Sequence, residues 1–194
     1  MLKIPVFLGF AVVSGTQVGI FFAMNGFLPY RYTELGVSTL EFGFWFGLTP
    51  VSYFIGNLVN RSFVMKLGLE RSVFIGCILT CISLLLLFLI QYADISSVLG
   101  LALPCSLFGF SNGLTIANTV IGGIKSAGSY AGTGSGIIGA LQMVTGSVLG
   151  SIIIMLGGDS NIILACGLIL SAGLISMVVA TIIYQTSRKE EPAG

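Results

Sequence analysis

Long apolar runs divided by isolated charges set the pattern of this chain. Residues 4–30, 42–60, 72–93, 95–124, 126–158 and 160–187 contain no Asp, Glu, Lys, Arg or His, and each run is at least 19 residues long. An α-helix of about 20 residues crosses the roughly 30 Å hydrocarbon layer of a bilayer. The six runs predict an all-α membrane protein with six transmembrane helices, at about 4–28, 41–60, 72–92, 97–121, 132–156 and 161–184. They form one predicted bundle over residues 1–186, followed by a short polar cytoplasmic tail at 187–194. The connections are too short to hold a soluble domain, so function is expected within or between the helices.

Local chemistry marks several boundaries. Ser38 to Glu41 reads S-T-L-E, a capping box in which the serine accepts from the glutamate amide and the glutamate reaches back. It opens the second span. Pro29 is placed at the end of the first span, where a missing donor costs little, and Gly157-Gly158 at the end of the fifth.

Composition agrees with the pattern. Only 8% of the residues are charged, against about 25% in an ordinary soluble domain. If the N-terminus is cytoplasmic, the inside collects Lys3, Arg61, Lys66, Arg71, Lys125, Arg188 and Lys189, and the outside keeps Arg31. The positive-inside rule therefore predicts both termini cytoplasmic in a multi-pass protein of the inner (plasma) membrane. The first run is too long for a signal-peptide core and reads as a retained span. No basic patch with interleaved aromatics exists, which argues against a nucleic-acid partner. Cys77, Cys81, Cys105 and Cys166 all fall inside predicted helices and read as small packing residues.

Gly134, Gly136 and Gly139 spell G-x-G-x-x-G, the dinucleotide-binding fingerprint, and Asp159 follows at a suitable distance. That loop needs a buried strand before its first glycine, but residues 125–131 are small and polar. The helix after it would also need a charged outer face, and 126–158 has none. Gly128, Gly132, Gly136 and Ala140 instead recur every fourth residue, a small-residue stripe that lets helices approach closely. Gly15–Gly19, Gly43–Gly47 and Gly109–Gly113 repeat the device. No cofactor and no metal is expected.

Polar side chains inside a bilayer need partners or a water-filled cavity. Gln17, Phe21 and Asn25 follow at i, i+4 spacing on the first span, and Tyr53 and Asn57 share a face of the second. Ser111, Asn112, Thr115 and Asn118 mark the fourth span, Gln142 and Thr145 the fifth. The third and sixth hold only Ser, Thr and Cys among small polar residues near mid-membrane, and these can bond their own backbone. Spans one, two, four and five are therefore expected around a cavity, with three and six facing lipid. Each amide could alternatively serve a single interhelical bond. No ionisable group lies deep in a span, and a serine nucleophile would lack a base, so an enzyme is not expected.

Residues 27–68, FLPYRYTELGVSTLEFGFWFGLTPVSYFIGNLVNRSFVMKLG, resemble the seventh-to-eighth-helix region of Bcr/CflA-type multidrug exporters, drug–proton antiporters of the major facilitator superfamily. AGTGSGIIGALQ (131–142) is similar to the start of their eleventh helix, and NGLTIAN (112–118) stands in the place of the tenth. The resemblance implies the C-terminal half of a twelve-helix transporter, itself a 3+3 inverted repeat, rocking against an N-terminal six-helix half around a central site. It implies multidrug efflux by proton antiport, with a drug-like small molecule as substrate. Gln17, Asn25, Asn112 and Gln142 are then the expected substrate contacts, with Phe21 and Tyr53 stacking on an aromatic or cationic ligand. The alternatives are a non-transporting six-helix remnant or assembly partner, and a homodimeric facilitator built from two copies in one orientation.

Overall fold

The computed structural model describes residues 4–157 and 161–190, with side chains for 5–157 and 161–187. Lys3, Gly158 and Asp159, and the tail residues 191–194, lie outside the described residues, as do the side chains of Arg188 and Lys189. The described residues form six α-helices and no strand: α1 (Ile4–Glu34), α2 (Thr39–Leu67), α3 (Leu69–Tyr92), α4 (Val98–Ala127), α5 (Ala131–Met155) and α6 (Ile162–Glu190). A 3-10 turn, Gly128–Tyr130, joins α4 to α5.

Among the described residues five continuous segments, where six were expected, are long and apolar enough to cross a membrane: Pro5–Glu34, Thr39–Leu67, Leu69–Tyr92, Val98–Met155 and Ile162–Ser187. The difference lies at 122–131, expected as a loop. Helix α4 continues to Ala127 and passes through the 3-10 turn directly into α5, so two expected spans merge into one 58-residue run. Gly128, at φ 58°, redirects the chain there without a loop. The helices also overrun the apolar cores read from sequence. α1 continues five residues past Pro29, where the Thr33 hydroxyl donates to the Pro29 carbonyl. Gly36, at φ 74°, then closes it, with Val37 N–H bonding back to the Tyr32 carbonyl at 3.1 Å. Asp94, at φ 50°, ends α3 in the same way, Ile95 N–H reaching the Ile90 carbonyl. The capping box is present: Ser38 caps α2, accepting from Glu41 N–H, and Glu41 accepts from Ser38 N–H at 3.0 Å.

Side-chain neighbours fix the direction of every helix. Phe10 meets Gly122 and Gly123 meets Ile138, so α4 runs opposite to both α1 and α5. Gly15 and Gly19 lie on Thr145 and Leu149, making α1 and α5 parallel. Thr49 meets Gly109 and Asn60 bonds Asn118, so α2 and α4 are parallel. α3 opposes α4 and α6, with Ser83 on the Pro104 carbonyl and Arg71 on the Tyr184 hydroxyl. Each helix thus reverses the one before it.

The closest helix pairs are α1–α5, α2–α4, α3–α4, α1–α6, α3–α6 and α1–α4. Exchanging α1, α2 and α3 for α4, α5 and α6 converts this set into itself. The exchange does not extend to the weaker pairs, since α4 also touches α5 whereas α1 and α2 scarcely meet.

Glycines decide the α2–α4 contact. Gly56, Gly109 and Gly113 bring the α2 and α4 backbones together, each facing a main-chain carbonyl of the opposite helix. At the far end of that pair Asn60 and Asn118 exchange amide bonds of 3.2 and 2.8 Å, both buried. Gly128, Gly132 and Gly136, expected to pack, instead have nothing within 4 Å of the point a β-carbon would occupy, as do Gly43 and Gly47. On α5 the packed glycines are Gly134, against Ala127, and Gly146, against Phe22. The fingerprint glycines sit inside a helix with no strand before them.

Candidate functional site

Helices α1 and α2 diverge on the same side of α4 and leave a wedge. They meet near their connecting turn, where Tyr32 packs edge-on against Phe42 with ring centroids 5.4 Å apart. Further along, α2 stays against α4 because of Gly56, Gly109 and Gly113, while α1 follows α5 and α6. The space between is a cleft of about 210 Å³, lined by Val18 and Phe21 from α1, Thr49, Pro50 and Tyr53 from α2, and Gly109, Asn112 and Ile116 from α4. Its walls are predominantly apolar, and no charged side chain lines it.

Two residues of the lining carry an enclosed oxygen with no hydrogen-bond partner: Asn112 Oδ1 and Thr49 Oγ1, on residues each only 4% exposed. Among the described residues, Ser106 Oγ is the other such atom, outside the cleft. A helical threonine ordinarily donates to the carbonyl one turn back. Thr115 and Thr181 do so here, to Ser111 and Met177, and Thr49 does not. A buried polar atom left unpaired costs about 1–3 kcal/mol. Pro50 has no N–H to donate to the carbonyl of Phe46, one turn back.

Of the six residues singled out from sequence, Phe21, Tyr53 and Asn112 come together in the cleft. Gln17 lies elsewhere. It is fully buried and faces α3, where its Nε2 donates to Thr80 Oγ1 at 3.1 Å and approaches Cys77 Sγ at 3.7 Å. Thr80 is 2.9 Å from Ser111 Oγ, which donates to the Phe108 carbonyl at 2.7 Å. Thr80 Oγ1 also lies 3.2 Å from Gln17 Oε1, so its single proton serves either Gln17 or Ser111. Asn25 turns onto its own helix, donating to the Phe21 carbonyl at 2.7 Å. Gln142 donates to Ser14 at 2.6 Å and ties α5 to α1.

The division of spans also shifts. α1, α2 and α4 line the cleft, whereas α5 lies beyond α1 and contributes nothing to it. α3 was expected to keep its polar groups on its own backbone. Instead Thr80 and Cys77 bond other helices, and Ser83 donates to the Pro104 carbonyl at 2.6 Å. Thr49, Gly109 and Ile116 were missed as site residues. Gly109, Asn112 and Ile116 are spaced i, i+3, i+7, and Thr49 precedes Tyr53 by one turn, so helical spacing from the residues already named would have found them.

A second surface is formed by what α2 and α5 leave uncovered. Phe44, Val51, Phe54 and Leu58 are exposed on α2, and Met143, Val144 and Val148 on α5. The contact-free glycines of α2 and α5 lie on the same two helices.

Over 125 residues, 64% of this chain, the sequence is 24% identical to the bicyclomycin resistance protein homolog of Haemophilus influenzae. The chain is a distant relative of a drug-resistance protein. The match covers 31% of that protein's length, so its activity as a whole bears on this chain only in part. No protein-family model and no solved structure matches the chain. The helices long and apolar enough to cross a membrane mark the chain as a multi-pass membrane protein.

Proposed function

We propose that this chain is the C-terminal six-helix half of a drug–proton antiporter of the major facilitator type, contributing one wall of its substrate cavity. The observation that carries the reading is the α1–α2–α4 cleft, where Phe21 and Tyr53 stand beside an unpartnered Asn112. Spans that need only hold a bundle together satisfy their amides, as Gln17 and Gln142 do. Asn112 differs from them, since its amide oxygen is buried and unpaired on a residue that lines the cleft.

Three further features support it. The relative is described as a bicyclomycin resistance protein homolog. The pairing of the closest helices maps onto itself when the two sets of three helices are exchanged, as a 3+3 repeat requires. On this reading Val98–Met155 is two crossings joined at Gly128, six in all, which the alternating helix directions favour. Both termini are then cytoplasmic, with Arg61, Lys66, Arg71 and Lys125 on the inner side.

The uncovered α2 and α5 faces, with Gly43, Gly47, Gly132 and Gly136 open, are the surface on which an N-terminal half docks. That half supplies the ionisable group for proton coupling, which the charge-free runs here lack. A second copy of this chain on the same surface is the alternative, giving a facilitator without proton coupling.

The test is drug tolerance in an efflux-deficient bacterial host, with bicyclomycin at the head of a panel of small amphipathic drugs. The chain, with its partner half, is expected to raise tolerance. Asn112→Ala is expected to lower the gain severalfold at unchanged membrane abundance. Reduced abundance with unchanged tolerance per molecule would make Asn112 a packing residue and remove the reading.

A further inference from the structure

The face at which α1 and α3 begin and α4 and α6 end carries a recess separate from the cleft. Its volume is about 420 Å³, and its walls include Glu70 of α3, Lys125 and Ser126 of α4 and Thr186 of α6. Three membrane-crossing segments, Pro5–Glu34, Leu69–Tyr92 and Ile162–Ser187, have an end here, so the recess lies at the level of lipid headgroups. Glu70 is half-buried and Lys125 exposed. Among the described residues, no ion pair or side-chain hydrogen bond engages the Glu70 carboxylate or the Lys125 ammonium, and the two do not pair with each other. The Ser126 and Thr186 hydroxyls donate to the Gly122 and Ile182 carbonyls of their own helices, each at 2.8 Å, and can still accept.

An apolar groove of about 300 Å³ between α1 and α6 shares Val6 and Thr186 with this recess. It follows α1 from Pro5 to Val12, roughly 10 Å of helix. Leu8, Val12 and Ile182 on its walls are exposed. The groove thus leads from the headgroup level into the hydrocarbon.

We propose that the recess and groove together bind one phospholipid with a primary ammonium headgroup, of the phosphatidylethanolamine class. The lipid phosphate meets the Lys125 ammonium, the lipid ammonium meets the Glu70 carboxylate, and one acyl chain lies between α1 and α6. Two unpaired opposite charges in one recess match a headgroup that carries both, and charge-assisted hydrogen bonds are the strong ones. The rest of the polar wall accepts hydrogen bonds, which a primary ammonium can supply. A choline headgroup has no N–H to donate. A phosphatidylglycerol headgroup has no cation for Glu70 and brings a net negative charge towards it. The site requires only that α1 and α6 cross the membrane, whether or not the α1–α2–α4 cleft takes a drug.

Native mass spectrometry of the full chain, delipidated in detergent, tests this by titration with lipids of identical dioleoyl chains. The first copy of phosphatidylethanolamine is expected to bind roughly fivefold more tightly than phosphatidylcholine or phosphatidylglycerol. Glu70→Gln is expected to shrink that ratio to about twofold or less by weakening phosphatidylethanolamine. Lys125→Gln is expected to weaken phosphatidylethanolamine and phosphatidylcholine together, since both carry the phosphate. Val12→Trp, in the groove but not the recess, is expected to weaken both severalfold and to leave their ratio in place. Soluble glycerophosphoethanolamine at the lipid's concentration is expected not to displace it.

Equal first-copy affinities for the three lipids in the unaltered chain would overturn the proposal, since lipid would then coat the helices without selection. A preference that survives Glu70→Gln would equally overturn it by placing the headgroup elsewhere. Unchanged binding in Val12→Trp, or displacement by glycerophosphoethanolamine, would remove the acyl chain from the groove and the lipid with it.

Discussion

Gly109→Val is expected to strip α2 from α4. A β-carbon at Gly109 would be driven into the main-chain carbonyl of Thr49, with Thr49 Cγ2 also only 3.2 Å away. A backbone carbonyl cannot rotate aside as a side chain can, so the helices must separate. Separation also loosens Gly56 and Gly113, which use the same close approach. Overpacking of this kind costs about 1–3 kcal/mol, and the shared contact places this site at about 3 kcal/mol. Denaturation of the purified chain in a mixed-micelle titration measures it. Gly136→Ala, on an open part of α5, is the control and is expected to stay within about 0.5 kcal/mol of the original. Equal losses at the two glycines would contradict the packing described for α2 and α4.

Gln17→Ala is expected to be the other strongly destabilising change. It opens a void in a fully buried position and leaves Thr80 and Cys77 without their shared partner. Cavity and lost hydrogen bonds together amount to about 2–4 kcal/mol. Asn112→Leu makes the instructive contrast. Its amide oxygen has no partner to lose, so removing it is expected to leave stability unchanged or to raise it by about 1 kcal/mol while drug tolerance falls. Thermal unfolding followed by circular dichroism separates the two variants. Similar destabilisation by both would mean that Asn112 is a structural amide after all.

Much of the fold is written in the charges. Their spacing places the helices, because a charge within the hydrocarbon is costly and the chain confines charges to the ends. The capping box at Ser38 and Glu41 is local chemistry and so can be read locally. Helix ends are not visible in the same way. The polar residues beyond each apolar core favour helix as readily as loop, and so α1 runs through Pro29 to Glu34. The junction at Gly128 depends on one backbone angle, which leaves a glycine-rich stretch looking like a loop.

The site is harder to read because a spacing defines a face without naming its neighbour. Gln17, Phe21 and Asn25 differ by four residues each, and every such step turns the helix by about 40°. Over two steps the direction changes enough to separate them. Gln17 faces α3, Phe21 faces the cleft, and Asn25 finds its own backbone. Likewise, the stripe of small residues on α5 is legible, but sequence alone does not reveal that Gly134 and Gly146 face inward while Gly132 and Gly136 face out. Thr49 escapes notice because it resembles every other helical threonine. Only its missing bond to the preceding turn distinguishes it.

If substrate binds in the α1–α2–α4 cleft, Tyr53→Ala, in the cleft wall, must behave differently from Leu85→Ala, exposed on the outer side of α3. Initial efflux rates of a drug from the tolerance panel are measured in cells carrying the protein and are divided by its amount in the membrane. A cleft that binds substrate predicts at least a fivefold loss per molecule for Tyr53→Ala and less than twofold for Leu85→Ala, since one buried aromatic contact contributes about 1 kcal/mol or more. Equal rates for the two variants, or the larger loss from Leu85→Ala, would place the substrate elsewhere.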